Sequence, residues 1–364
     1  MHIKGARPGP LYPLPAHCGV PEATHPQGVS ALLRRLDPVG SREGCIMSNC
    51  LLADIGGTRA RFALLSGSRV GPIESMATGE YASAIDAIKH FLNRQDDAGS
   101  VDGAVIAAAG PVEGGRCALT NARWILETDE LKRTFRFRAV NIVNDLEALA
   151  WSISHLGPSD VQSVGGGSEV AVEPVAVIAP GTGLGMACFI PGGDGERVLP
   201  SEGGHATLAA TDASEAAIIE VLGRRYGHVS AERVLSGPGL VNLYAALAEL
   251  GGSGEQLRTA EQITRSAFAG SSSKARRALD TFCAFLGSVA GSAALMFRAR
   301  GGVLIAGGIV PTIVDYLPRS NFRARFESKG RFRAYLEGVS TRVIVRTDPA
   351  FVGLQALAER RKMV

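Results

Sequence analysis

The chain has 364 residues, enough for two domains, and its 46% apolar and 20% charged residues are the balance of a globular protein with a sizeable core. A net charge of +3 and a pI near 8.6 are too mild to point to nucleic acid, and no run of about 18 uninterrupted apolar residues offers a membrane span. The six cysteines, at 18, 45, 50, 117, 188 and 283, form no C-x-x-C pair, which argues against structural zinc or a disulfide framework and for a reducing, cytoplasmic setting.

Residues 1–46 hold seven of the 18 prolines and three of the seven histidines, with no apolar core of a secretory signal. They read as a disordered extension. Met47, just before the first strand, reads as an alternative start, so that 1–46 are expected to be dispensable to the fold.

The next segment, "LLADIGGTRARFALL" at 51–65, runs apolar to an acid, turns through Gly-Gly-Thr and restarts with alternation. Ala60, Phe62 and Leu64 fall on one face, with Arg59 and Arg61 on the other. This predicts a hairpin. It is not a P-loop, lacking Lys-Ser/Thr, and it lacks dinucleotide G-x-G-x-x-G spacing. A helix over 81–95, a strand at 103–112 closed by Gly-Pro, and a strand-then-helix at 139–157 follow. The Gly/Ser/Pro-rich stretch 156–174 reads as a linker. "VAVIAPGTGLGMACFI" at 175–190 repeats the strand–Gly–Thr–strand pattern. Helices are expected at 212–226, 239–250 and 274–299, a strand at 301–306 with a helix opening after Gly307-Gly308, a strand at 341–347 and a terminal helix at 351–361. The basic, Phe-interleaved 321–333 reads as an amphipathic surface segment. This alternation of strands and helices predicts an α/β fold.

Two hairpins of one pattern suggest a duplicated domain gripping a nucleotide between its halves. Glycines let backbone N–H groups approach phosphate, and threonine adds a donor. Asp54, at a strand end, suits Mg²⁺. Asn144-Asp145 end another strand, where α/β ligand sites lie. Position alone leaves Asp145 as either a catalytic acid or a helix cap. Glu202 and His205 flank two glycines without metal-site spacing, which fits a polyhydroxyl ligand or a solvated loop. Glu232 sits in a predicted first helical turn, where acids are common.

Taken together and in order, "ADIGGTRARFAL", "IVNDLEA", "PGTGLG", "SEGGH", "GHVSAERVLSGPGLVNLY" and "GGVLIAGGIVP" resemble the bacterial ATP-dependent glucokinases over 48–364. The resemblance implies the actin-like (ribonuclease-H-like) ATPase fold, two α/β domains with the active site in the cleft between them. It divides the chain into a small domain, 47–155 plus 346–364, and a large one, 156–345. It implies transfer of the γ-phosphoryl group of MgATP to the 6-hydroxyl of glucose, with ATP and Mg²⁺ as cofactors, a homodimer, and no nucleic-acid or membrane partner. It makes Asp145 the base and Asn144, Asp145, Glu202, His205 and Glu232 the sugar ligands. Asp54, Ile55, Gly56, Gly57, Thr58 and Arg59 become the first phosphate hairpin, with Asp54 toward Mg²⁺ through water. Gly181, Thr182 and Gly183 become the second, and Gly307 and Gly308 the adenosine segment. The C-terminal strand and helix would return to the N-terminal domain.

Arg59 stands where the family commonly has Asn, and Ser201 where it has Gly. The cysteine-rich zinc motif of ROK-type kinases and repressors is absent from the sequence. A kinase for another hexose or N-acetylhexosamine, and a non-catalytic sugar-sensing regulator, are the rival readings.

Overall fold

The computed structural model describes residues 49–95, 101–251 and 257–363. The expected N-terminal extension, 1–46, lies outside the described residues.

The first main sheet is built from β1 (Asn49–Ile55), β2 (Arg59–Ser66), β3 (Arg69–Val70), β4 (Glu74–Ala77), β5 (Val101–Ala108) and β9 (Ala139–Asn144), in the order β3-β2-β1-β5-β9 with β4 also on β2. β1 and β2 are antiparallel, while β1, β5 and β9 run parallel. A small sheet of β6 (Val112–Glu113), β7 (Arg116–Ala118) and β8 (Ile125–Glu127) is inserted between β5 and β9. The second main sheet has β10 (Val161–Gly165), β11 (Val175–Pro180), β12 (Leu184–Ile190), β13 (Arg197–Ser201), β14 (Gly302–Ile305) and β15 (Thr341–Ile344), in the order β10-β15-β14-β11-β12-β13. Here β11–β12 is the antiparallel hairpin, and β11, β14 and β15 run parallel.

The two sheets therefore share one plan. The series β2-β1-β5-β9 matches β12-β11-β14-β15 in order and direction. The duplication suggested by two glycine hairpins is a duplication of topology.

Alternation explains how each sheet is covered. In β1, Leu51, Ala53 and Ile55 face a core shared with helix α1 (Ala84–Leu92) and, through Leu131, helix α2 (Thr128–Phe135). Cys50 and Leu52 face the opposite core, formed with α3 (Asp145–Trp151) and the terminal helix α10 (Pro349–Arg360). A strand buried on both faces carries a continuous apolar run, so an acid is tolerated only near its end. The second sheet packs one face on α4 (Ala213–Tyr226), α5 (Gly237–Gly251), α6 (Ala260–Ala269), α7 (Ser273–Met296), α8 (Phe322–Glu327) and α9 (Arg333–Glu337). α7 has the length and composition to cross a bilayer, but Phe282, Cys283, Phe285 and Leu286 are fully buried in this core.

Three expectations change and one is sharpened. Residues 161–165 form strand β10 on β15 rather than a linker, because Val161 and Val164 find apolar neighbours there. The segment 321–333 is amphipathic as expected and firmly anchored: Phe322 and Phe326 are fully buried and Arg325 pairs with buried Glu215, while 330–333 are exposed. The C-terminal strand stays in the second sheet, and only α10 packs on the first. After Gly308 the chain makes a short helical turn, Val310–Ile313, with Pro311 near its start and Val310 and Ile313 buried, instead of opening a helix.

Candidate active site

Three parallel strands end level with one another. Ile55 of β1 pairs with Ala108 of β5, and Ala108 with Asn144 of β9. Asp54 and Asp145 therefore lie on the same sheet edge, two strands apart.

The helix cap at this edge is Asn144, not Asp145. The Asn144 Oδ1 accepts the Leu146 N–H at 3.0 Å, and its Nδ2 donates to the Gly110 carbonyl at 3.1 Å. Asp145, the first residue of α3, shares that N–H, its Oδ1 accepting from Leu146 at 2.9 Å, and it is exposed at the strand ends. Its carboxyl is pushed up to about 6. Desolvation by the surrounding protein is the largest cause, although the residue keeps solvent access; the Asp54 carboxylate adds to it, the Leu146 N–H on the carboxylate works against it, and Glu202, just after β13, adds a little.

The first hairpin closes with Gly56 N–H donating to the Arg59 carbonyl at 2.9 Å. Thr78 fastens it from the side, its hydroxyl donating to the Gly56 carbonyl and its N–H to the Thr58 carbonyl. A side chain on Gly57 would meet Asn121 at 2.6 Å, so only glycine lets the turn lie against the loop 119–124. Ile55 is buried and accepts the Ala109 N–H, while Thr58 and Arg59 are exposed at the tip.

The second hairpin closes with Gly181 N–H donating to the Gly183 carbonyl at 2.8 Å, and Thr182 is exposed at its tip. It lies beside α3, since a Cβ on Gly185 would press on Leu146 at 2.9 Å. Gly307, at φ +90°, packs against Pro180, which brings the end of β14 to this hairpin; Gly308 faces open space.

Glu202, His205 and Glu232 form a cluster at the same end. The loop Gly203–His205 passes over β12 so closely that a Cβ on Gly203 would meet the Met186 sulfur at 2.6 Å. Ser201 Oγ accepts the Gly203 N–H at 3.0 Å and so helps hold that loop. A bridge between Thr207 and Ser230 then brings residue 232 alongside. His205 Nε2 lies 3.8 Å from Glu202, and its Nδ1 lies 3.9 Å from Glu232. The other oxygen of Glu232 accepts the Leu184 N–H at 2.9 Å, so this carboxylate is anchored to the second hairpin.

Sequence reasoning missed four participants. Arg61, placed on the polar face of its strand, pairs with Asp54 opposite it and also with Asp348. Thr78, Gly110 and Asn121 fasten the hairpin or the cap. Each does so by backbone contact or across distant sequence, for which no local pattern exists.

A family model described as Glucokinase matches residues 51–361. Glucokinase from Paramagnetospirillum magneticum is 44% identical over 310 residues, covering 84% of this chain and 96% of its own length. Glucokinase from Aromatoleum aromaticum is 42% identical over 305 residues, covering 83% and 92%. The crystal structure of a glucokinase from an Antarctic psychrotroph is similar at a TM-score of 0.76 and 33% identity, covering 86% of this chain and 99% of that one.

Proposed function

The chain belongs to the glucokinase family, and from that premise we propose that its cleft transfers the γ-phosphoryl group of ATP to the 6-hydroxyl of glucose with Asp145 as the base. The fold is the actin-like ATPase fold. We read 47–155 with 346–364 as the smaller domain and 156–345 as the larger, with the cleft between the two sheets. The buried free thiols Cys50, Cys117, Cys188 and Cys283 fit a cytoplasmic setting.

The observation that carries the reading is Asp145. It stands at the level end of three strands, sharing the Leu146 N–H with the Asn144 cap, and its carboxyl is pushed up to about 6. At neutral pH it is mostly ionised yet basic enough to accept a proton, the balance a general base needs. It takes the hydroxyl proton as the sugar oxygen bonds to the γ-phosphorus and the bond to the ADP oxygen breaks. Phosphoryl transfer draws most of its acceleration from positioning and charge stabilisation. The glycine turns, with Thr58 and Thr182 exposed at their tips, suit the phosphates, and Gly307-Gly308 the adenosine.

Glu202, His205 and Glu232 present donors and acceptors to sugar hydroxyls, and Asn144 offers its remaining N–H from the end of β9. A site of paired polar groups rejects a sugar that leaves them unmatched.

Among the described residues no three His, Cys, Asp or Glu side chains are grouped to cage a metal. One strand-end carboxylate, Asp54, fits Mg²⁺ held chiefly by phosphates and water. When bound, that ion supplies neutralisation of the phosphate charge.

A coupled assay with ATP and glucose, mannose or N-acetylglucosamine tests the reading. Glucose is expected to be the preferred acceptor by kcat/KM. Preference for N-acetylglucosamine, or no sugar-dependent ADP formation, would overturn it.

A further inference from the structure

We propose that the terminal helix α10 is the brace holding the two cleft acids in register, and that Asp348 is the positioning residue through which it holds the first phosphate hairpin. The inference rests on the proposed glucose-phosphorylating function of the cleft.

One helix touches both acid-bearing elements. Phe351, Leu354 and Leu357 of α10 pack with Cys50 and Leu52 of β1 and Val105 of β5. β1 is the strand that carries Asp54. In the same core lie Ala148 and Trp151 of α3, the helix that begins with Asp145. Gly353 lies so near the Ala148 carbonyl that a Cβ there would collide with it, so α10 and α3 meet backbone to backbone.

The link to the hairpin is polar and reaches across 287 positions of sequence. Arg61 projects to the α10 side of its sheet, the side faced by Ala63 and Leu65. There its guanidinium engages Asp54 with one nitrogen and Asp348 with the other. Its carbon lies 5.8 Å from the centre of the Phe351 ring. Asp348 precedes α10 in the left-handed conformation, at φ +53°, and makes no side-chain cap to its own helix. A residue at a helix start that forgoes capping and turns to a strand of the other chain end has a tertiary task. Asp348 holds Arg61 from behind, and Arg61 holds Asp54 at the foot of the hairpin. A fork clamped on both arms is fixed in direction as well as in charge.

The test compares wild type, Asp348→Asn and Asp348→Glu. Asn has the same shape and tolerates the left-handed conformation, so fold and melting temperature should stay within error while the negative charge that faces Arg61 is lost. The expected result is a rise of roughly two- to five-fold in KM for ATP, and in the Kd of a non-hydrolysable ATP analogue measured by calorimetry, the size of a partly exposed ion pair. KM for glucose should stay unchanged, and Asp348→Glu should recover most of the loss. In an Arg61→Met background, Asp348→Asn should add nothing further. Unchanged nucleotide KM and Kd in Asp348→Asn would overturn the brace, as would a parallel loss for both substrates with a lowered melting temperature. Should wild type fail to phosphorylate glucose, the functional reading falls, and the calorimetric arm still decides the role of Asp348.

Discussion

The hairpin at 55–59 and the hairpin at 180–184 occupy the same place in two sheets of like topology, and each exposes a threonine at a glycine turn. They differ in what locks them. Gly57 rests on the Asn121 backbone, and the strand beneath it is tied by Asp54 to Arg61. Gly183 faces the Glu232 carboxylate, which also takes the Leu184 N–H. The first jaw is thus fixed by its neighbouring loop and by Arg61, next to the proposed base Asp145. The second is fixed by Glu232, a residue proposed to bind the sugar, so under that proposal sugar and nucleotide share a residue there. Duplication supplied the same turn twice, and the neighbours gave the copies different work.

The contrast can be broken most severely at Asp145. Asp145→Ala should lower kcat by about 10²–10⁴-fold, the usual loss on removing a positioned base, while ATP still binds both jaws in a calorimetric titration. A matched pair of glycine variants sharpens it next. Gly57→Ala forces the first turn off Asn121, and displacement near reacting groups can cost on the order of 10²-fold in kcat. Gly181→Ala meets no atom within 4 Å, so its melting temperature should match wild type within the roughly 0.5 kcal/mol usual for open positions.

At the second jaw, Glu232→Ala strands the Leu184 N–H, an unmade bond worth about 1–3 kcal/mol. Steady-state kinetics should show KM rising for glucose and for ATP together. Glu232→Gln keeps an acceptor for that N–H, so it should raise chiefly the glucose KM. The smallest effect is on stability. The Asp145 carboxyl is raised above its ordinary value of 3.8, so its contribution is fully present below that value and is lost as pH rises through about 6. Melting curves of Asp145→Asn should therefore lie above wild type at pH 8, and the gap should close as pH falls to 4.

Much of this was legible because the chemistry sits at local breaks in pattern. Asp54 and Asp145 interrupt apolar runs at strand ends, and both glycine turns stand between strands of period two. What the pattern could not show depends on distant contacts. Asn144 rather than Asp145 became the cap because Gly110 offers its carbonyl to the Asn144 amide. Asp348 meets Arg61 only after the chain has run through the second sheet and returned. Residues 161–165 look like linker by composition, yet β15 pairs with them. Phe322 and Phe326 read as the apolar face of an amphipathic surface segment, but that they meet α7 in the large core is seen only in the fold.

The most direct test follows phosphoryl transfer by chemical quench at subsaturating ATP and glucose as pH is varied, conditions that report the unliganded cleft. The rate in wild type should then fall about ten-fold per unit below pH 6, the value to which its surroundings lift Asp145. Asp145→Asn should be slow and flat over the same range. A wild-type rate that holds constant down to pH 5, or an Asp145→Asn profile that keeps the same limb, would contradict the assignment of Asp145 as the base.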